Sequence, residues 1–131
     1  MFLSLKILVV YHGTHQIFYY PVKNISVDEM AWAYRSSAVV VARSGANTLW
    51  ELMVLGKPAV LVPLPWSGGN EQQHHARFFI SHGLGKLFDQ HDASATLLAT
   101  IHKVYTHRHV HEKNFKKITQ RSYAQCCACN R

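Results

Sequence analysis

The chain has 131 residues, 48% of them hydrophobic and 16% charged, with a formal net charge of +7. That length suits one domain, and the composition supports a buried core rather than a disordered polymer. No apolar run reaches the roughly 20 residues that cross a bilayer, and all three cysteines fall within the last six residues; a helical membrane span, a collagen, a coiled coil and a disulfide-stapled mini-protein are excluded.

Residues 7–11 read as a buried strand, and His12-Gly13-Thr14 as a turn. The chain starts almost inside this strand, which reads as the start of a truncated chain. Lys6 interrupts the first apolar run and no basic segment precedes it, so a secretory signal is not expected. Residues 17–20 are β-branched and aromatic, a short strand stopped by Pro21. Residues 28–36 carry Met30, Ala33 and Tyr34 at helical spacing, with Ser26 as a cap. Residues 38–42 form a continuous apolar run, which suits a parallel strand covered on both faces.

A helix is expected from about Asn47 to Leu55, ended by Gly56. Residues 59–63 are a second buried strand, and 65–70 a loop. Residues 71–81 are helical and closed by His82-Gly83; 85–88 are a short strand; 93–104 are a last periodic helix. Beyond Tyr105 the apolar pattern fades, although Phe115 and Ile118 could extend a helix. Alternating strands and helices with uninterrupted apolar strands imply an α/β fold: a parallel, Rossmann-like sheet with helices on both faces and right-handed crossovers. Ligands of such sheets bind outside the carboxyl ends of the strands. The loops 43–47 and 63–70 leave those ends.

Arg43-Ser44-Gly45-Ala46-Asn47-Thr48 joins a strand end to a helix start, where unpaired N–H groups and a partial positive charge attract anions. Gly45 permits close approach to the backbone, Ser44 and Thr48 offer hydroxyl donors, and Arg43 adds charge. The segment suits a phosphate or diphosphate. It is equally read as a plain turn in which Ser44 or Asn47 caps the helix. Glu51 has two readings as well: partner of Thr48 in a capping box, or a carboxylate accepting from a ribose diol below the diphosphate. The loop from Trp66 through Asn70, Glu71, Gln72 and Gln73 is rich in glycine and amides, which suit sugar hydroxyls. Its other reading is a solvated loop with Asn70 as a helix cap.

The remaining candidates carry less. His74 and His75 are adjacent and diverge by about 100° on a helix, so no metal site is expected. His107, His109 and His111 read as a fortuitous surface cluster. Cys126, Cys127 and Cys129 have no fourth ligand at standard spacing. Residues 103–131 hold seven Lys and Arg against one acidic residue. A basic stretch of this kind suits an anionic membrane surface or, as a weaker reading, nucleic acid; a solvated helix with a frayed end is the plain alternative.

Several blocks taken together resemble one family. They are residues 43–52, then Gly56-Lys57-Pro58, Val62-Pro63-Leu64-Pro65, Asn70-x-Gln72 and Ala76-Arg77. The family is the bacterial N-acetylglucosaminyltransferases of glycosyltransferase family 28, which add N-acetylglucosamine to undecaprenyl-diphosphate-muramoyl-pentapeptide, making lipid II from lipid I. The resemblance spans roughly residues 7–104. It implies part of the C-terminal, donor-binding domain of a GT-B architecture over 1–104, with 105–131 a basic, cysteine-containing tail. It implies UDP-N-acetylglucosamine as the donor, with Ile25 near the uracil, Ser44, Gly45 and Ala46 by the diphosphate, Glu51 on the ribose, and Gln72 with Glu71 facing the sugar. The implied reaction is an inverting displacement without metal or cofactor. Its general base belongs to an N-terminal half that this chain lacks, as does the site for the acceptor, lipid I. The expected location is cytoplasmic, or peripheral at the inner face of the plasma membrane. A fragment or split subunit, inactive alone, is expected; a non-catalytic nucleotide-sugar-binding module is the alternative.

Overall fold

The computed structural model describes residues 9–12, 16–19, 25–65 and 68–128, with side chains over 25–65 and 69–120. The elements are β1 (Val9–His12), β2 (Gln16–Tyr19), α1 (Val27–Ser36), β3 (Val40–Ala42), α2 (Ala46–Leu55), β4 (Ala59–Leu61), a 3-10 turn (Gly68–Asn70), α3 (Glu71–Ser81), β5 (Gly85–Leu87), α4 (Ser94–Thr106) and α5 (Arg108–Ala128). β3, β4 and β5 form a parallel sheet in that order, with Val41 opposite Val60 and Val60 opposite Lys86. The expected α/β, Rossmann-like architecture is present. One correction concerns its start: β1 and β2 pair with each other, antiparallel, as a separate two-stranded sheet. Tyr20, Pro21 and the residues of the expected turn, apart from His12, lie outside the described residues.

The strand period of two divides the core. Val40, Ala42, Ala59 and Leu61 face one layer, where they pack with Tyr34 of α1, Leu49 and Leu52 of α2, Ala76 and Phe79 of α3 and Phe115 of α5. Val41 and Val60 face the other, with Ile101 and Val104 of α4. Helices thus cover both faces of the sheet, which is why the strands show no polar alternation. β3 and β4 are three residues long, shorter than the runs that announced them. Pro63 has no N–H to continue a ladder.

Local chemistry fixes the helix ends. Ser26 caps α1 in a capping box: its Oγ accepts from Glu29 N, while Glu29 Oε2 accepts from Ser26 N at 2.8 Å. At the other end of α1, Lys57 Nζ donates to the carbonyls of Arg35 (3.1 Å) and Ser37 (2.9 Å). Gly56 closes α2 in the left-handed conformation, φ +62°. α5 is docked through Gly83, whose carbonyl accepts from His111 Nδ1 at 2.6 Å and Asn114 Nδ2 at 3.0 Å. His111 is therefore buried, which corrects the reading of three surface histidines; His107 and His109 are exposed.

Candidate functional site

The chain leaves the carboxyl ends of β3, β4 and β5 at Arg43–Gly45, Val62–Leu64 and Phe88–Gln90, on one edge of the sheet. Side chains knit that edge together. Arg43 Nη1 donates to the Val62 carbonyl (3.2 Å) and to Gln90 Oε1 (3.0 Å). Ser44 Oγ donates to the Gln72 carbonyl (2.7 Å), and Leu64 N donates to Gln72 Oε1 (3.0 Å). The first turn of α3 is thereby fastened to the loops after β3 and β4.

α2 starts on this edge, and its start is bare. The N-cap is Gly45, with no side-chain cap and no acidic residue in the first turn. The first intrahelical bond runs from Leu49 N to the Gly45 carbonyl, 3.0 Å. The N–H groups of Ala46, Asn47 and Thr48 precede it and have no partner inside the helix. Gly45 has ordinary backbone angles (φ −68°, ψ 149°), and a Cβ built on it would meet nothing within 4 Å. Open space beside Gly45 at this helix start is what close approach of an anion requires.

Several expectations are corrected here. Neither Ser44 nor Asn47 caps α2, and Thr48 and Glu51 form no capping box, because the helix begins at Ala46 and Thr48 already lies inside it. Ser44 is fully buried, so its hydroxyl points inward to Gln72 rather than toward a ligand. The guanidinium of Arg43 ties two loops together. Asn70 occupies the N-cap position of α3 in a left-handed conformation (φ +58°) without a side-chain cap bond. Gln72 commits its side-chain oxygen to Leu64. Asn70 and Glu71 are exposed, Ile25 and Thr48 half-buried, and Ala46 exposed. Trp66 lies outside the described residues, as does Cys129.

Glu51 sits about 7.5 Å along the helix from Ala46 and is half-buried. Its Oε2 accepts from the hydroxyl of Tyr34 on α1, 2.7 Å away. Burial first, then the hydrogen bond and negative charge of Glu51, raise the Tyr34 phenol far above its ordinary pKa. Helical spacing groups Tyr34 with Met30 and Ala33, and the structure buries it in the core; its hydroxyl partner 17 positions away leaves no local signal. Among the described residues, no three His, Cys, Asp or Glu side chains are arranged to hold a metal ion. Nor is any helix there long and apolar enough to cross a membrane.

Comparison with known proteins agrees with this architecture. Residues 8–125 match the family model of the glycosyltransferase family 28 C-terminal domain. Relatives named UDP-N-acetylglucosamine--N-acetylmuramyl-(pentapeptide) pyrophosphoryl-undecaprenol N-acetylglucosamine transferase include one from Nitratidesulfovibrio vulgaris, 44% identical over 53% of this chain and 19% of its own length. Another, from Desulfotalea psychrophila, is 35% identical over 65% of this chain and 23% of its own. The chain thus spans about a fifth of the curated relatives it matches. The crystal structure of Acinetobacter baumannii MurG superposes with a TM-score of 0.60 at 27% identity, covering 72% of this chain and 27% of that one. The chain belongs to the glycosyltransferase family 28 C-terminal domain family.

Proposed function

We propose that the chain is the donor-binding part of a glycosyltransferase and takes UDP-N-acetylglucosamine for transfer to lipid I in peptidoglycan synthesis. The observation that carries this reading is the uncapped start of α2, open above Gly45, with a carboxylate on the same helix below it. The N–H groups of Ala46, Asn47 and Thr48 would hold the diphosphate. Glu51 would accept from the ribose hydroxyls. Ile25 would lie at the uracil, and Asn70, Glu71 and Gln72 at the sugar. Ser44 and Arg43 would act from behind, by holding the loops that frame the seat. The relatives' printed names support the donor and acceptor classes.

Turnover would need an acceptor-binding half with a general base, so the 131-residue chain alone would bind donor and form no lipid II. A basic α5 is consistent with work at an anionic membrane surface, on the cytoplasmic side where a nucleotide sugar is available. Calorimetric titration with UDP-N-acetylglucosamine tests the reading. Binding should weaken about tenfold in Glu51→Ala, the size of a lost hydrogen bond to a charged group. An unchanged affinity would remove Glu51 from the site.

A further inference from the structure

We infer that Tyr34 is a positioning residue for the ribose end of this site: its phenol, on α1, holds the carboxylate of Glu51, on α2, in the rotation that a vicinal diol requires. The inference rests on the donor reading above and extends it to a residue outside the loop and helix that form the seat. Four observations carry it. The Tyr34 hydroxyl lies 2.7 Å from Glu51 Oε2. Tyr34 is 3% exposed and packs in the core, so its ring cannot follow a moving carboxylate. The helix that presents it is fixed at its start by the Ser26–Glu29 box and at its end by Lys57. Ser37 Oγ further donates to the Tyr34 carbonyl at 3.0 Å.

The chemistry is consistent. A carboxylate has about four acceptor positions on two oxygens, so Oε2 can accept from the phenol and still accept from a hydroxyl. An unanchored Glu side chain would have to be ordered at each binding event, at a cost in rotamer entropy. Tyr34 removes that cost in advance. Glu51 then presents its carboxylate to the ribose hydroxyls from a fixed plane.

The test uses the full chain and two probes, UDP and 2′-deoxy-UDP, titrated calorimetrically into wild type, Tyr34→Phe and Glu51→Gln. Phe keeps the buried ring, and unfolding midpoints confirm that each variant is folded at the assay temperature. Wild type should favour UDP over the deoxy analogue by about tenfold. Both variants should cut that ratio by threefold or more, with the affinity for 2′-deoxy-UDP little changed in Tyr34→Phe. A ratio reduced in Glu51→Gln but intact in Tyr34→Phe overturns the role of Tyr34 and leaves the ribose reading standing. Equal losses for both probes in Tyr34→Phe also overturn it, since packing alone would then explain the effect. A wild-type ratio near one, or one unmoved in Glu51→Gln, overturns the ribose reading itself.

Discussion

The hydroxyl of Ser44 donates to the main-chain carbonyl of Gln72 across 2.7 Å, joining the loop after β3 to the first turn of α3. Ser44 is wholly enclosed, so the donor end of the bond is shielded from competing water. A residue that sits beside a candidate anion seat therefore serves the scaffold. Replacing Ser44 with Ala should lower unfolding stability by about 1 kcal/mol, read by urea denaturation. No loss of stability would mean that the bond contributes nothing net.

Gly45 separates binding from folding. Its backbone angles suit any residue, and a Cβ there meets open space. Gly45→Ala should leave the urea midpoint within about 0.5 kcal/mol of wild type, as expected for a substitution that meets no neighbour. The same methyl would stand where the diphosphate is proposed to lie, so UDP affinity should fall several-fold. Stability loss with intact affinity would reverse the assignment.

Lys57 belongs to the Gly56-Lys57-Pro58 block, and its ammonium closes the end of α1 through two carbonyls. Desolvation lowers its pKa, opposed by the charge of Glu112. The folded state thus holds its proton less tightly than the unfolded chain, but the two hydrogen bonds need the charged or donor form. Lys57→Met keeps the stem and deletes the donors; it should cost about 1–3 kcal/mol. A thermal melt unchanged from wild type would refute this.

The raised pKa of Tyr34 makes a signed prediction. Folded, the phenol stays protonated; unfolded, it titrates near its ordinary value of about 10. Its contribution to stability is fully present below pH of about 10 and is lost as pH rises above that value, with a slope approaching about 1.4 kcal/mol per pH unit. Tyr34→Phe should lack this component, so the gap between wild type and variant should narrow from pH 9 to pH 11. A constant gap across that range would contradict the burial and pairing of the phenol.

Much of this molecule is legible in the residues. The unbroken apolar runs around Val40 and Val60 announce strands covered on both faces, and the two-layer core shows why. Ser26 announces the start of α1, and Gly56 the end of α2. What is not legible is set by contacts distant in sequence. The β1–β2 pairing depends on the register between two separate segments. Tyr34 reads as part of a helical pattern, but its hydroxyl finds Glu51 only after α1 and α2 pack together. Ser44 reads as a ligand donor until Gln72 closes over it. Helix α5 is masked because Phe115 and Ile118 stand among charged residues; only the fold shows that Phe115 meets Phe79 edge-on at 5.9 Å.

The most direct measurement is an amide ¹H–¹⁵N spectrum of the full chain recorded while UDP is added. The largest shifts are expected on Gly45, Ala46, Asn47 and Thr48, with a second group around Glu51. A 410 Å³ groove between the end of α2 and α5, lined by Met53, Leu55 and Phe115, serves as the internal control. Shifts confined to that groove, with the start of α2 unmoved, would rule out a diphosphate seat at Gly45–Thr48.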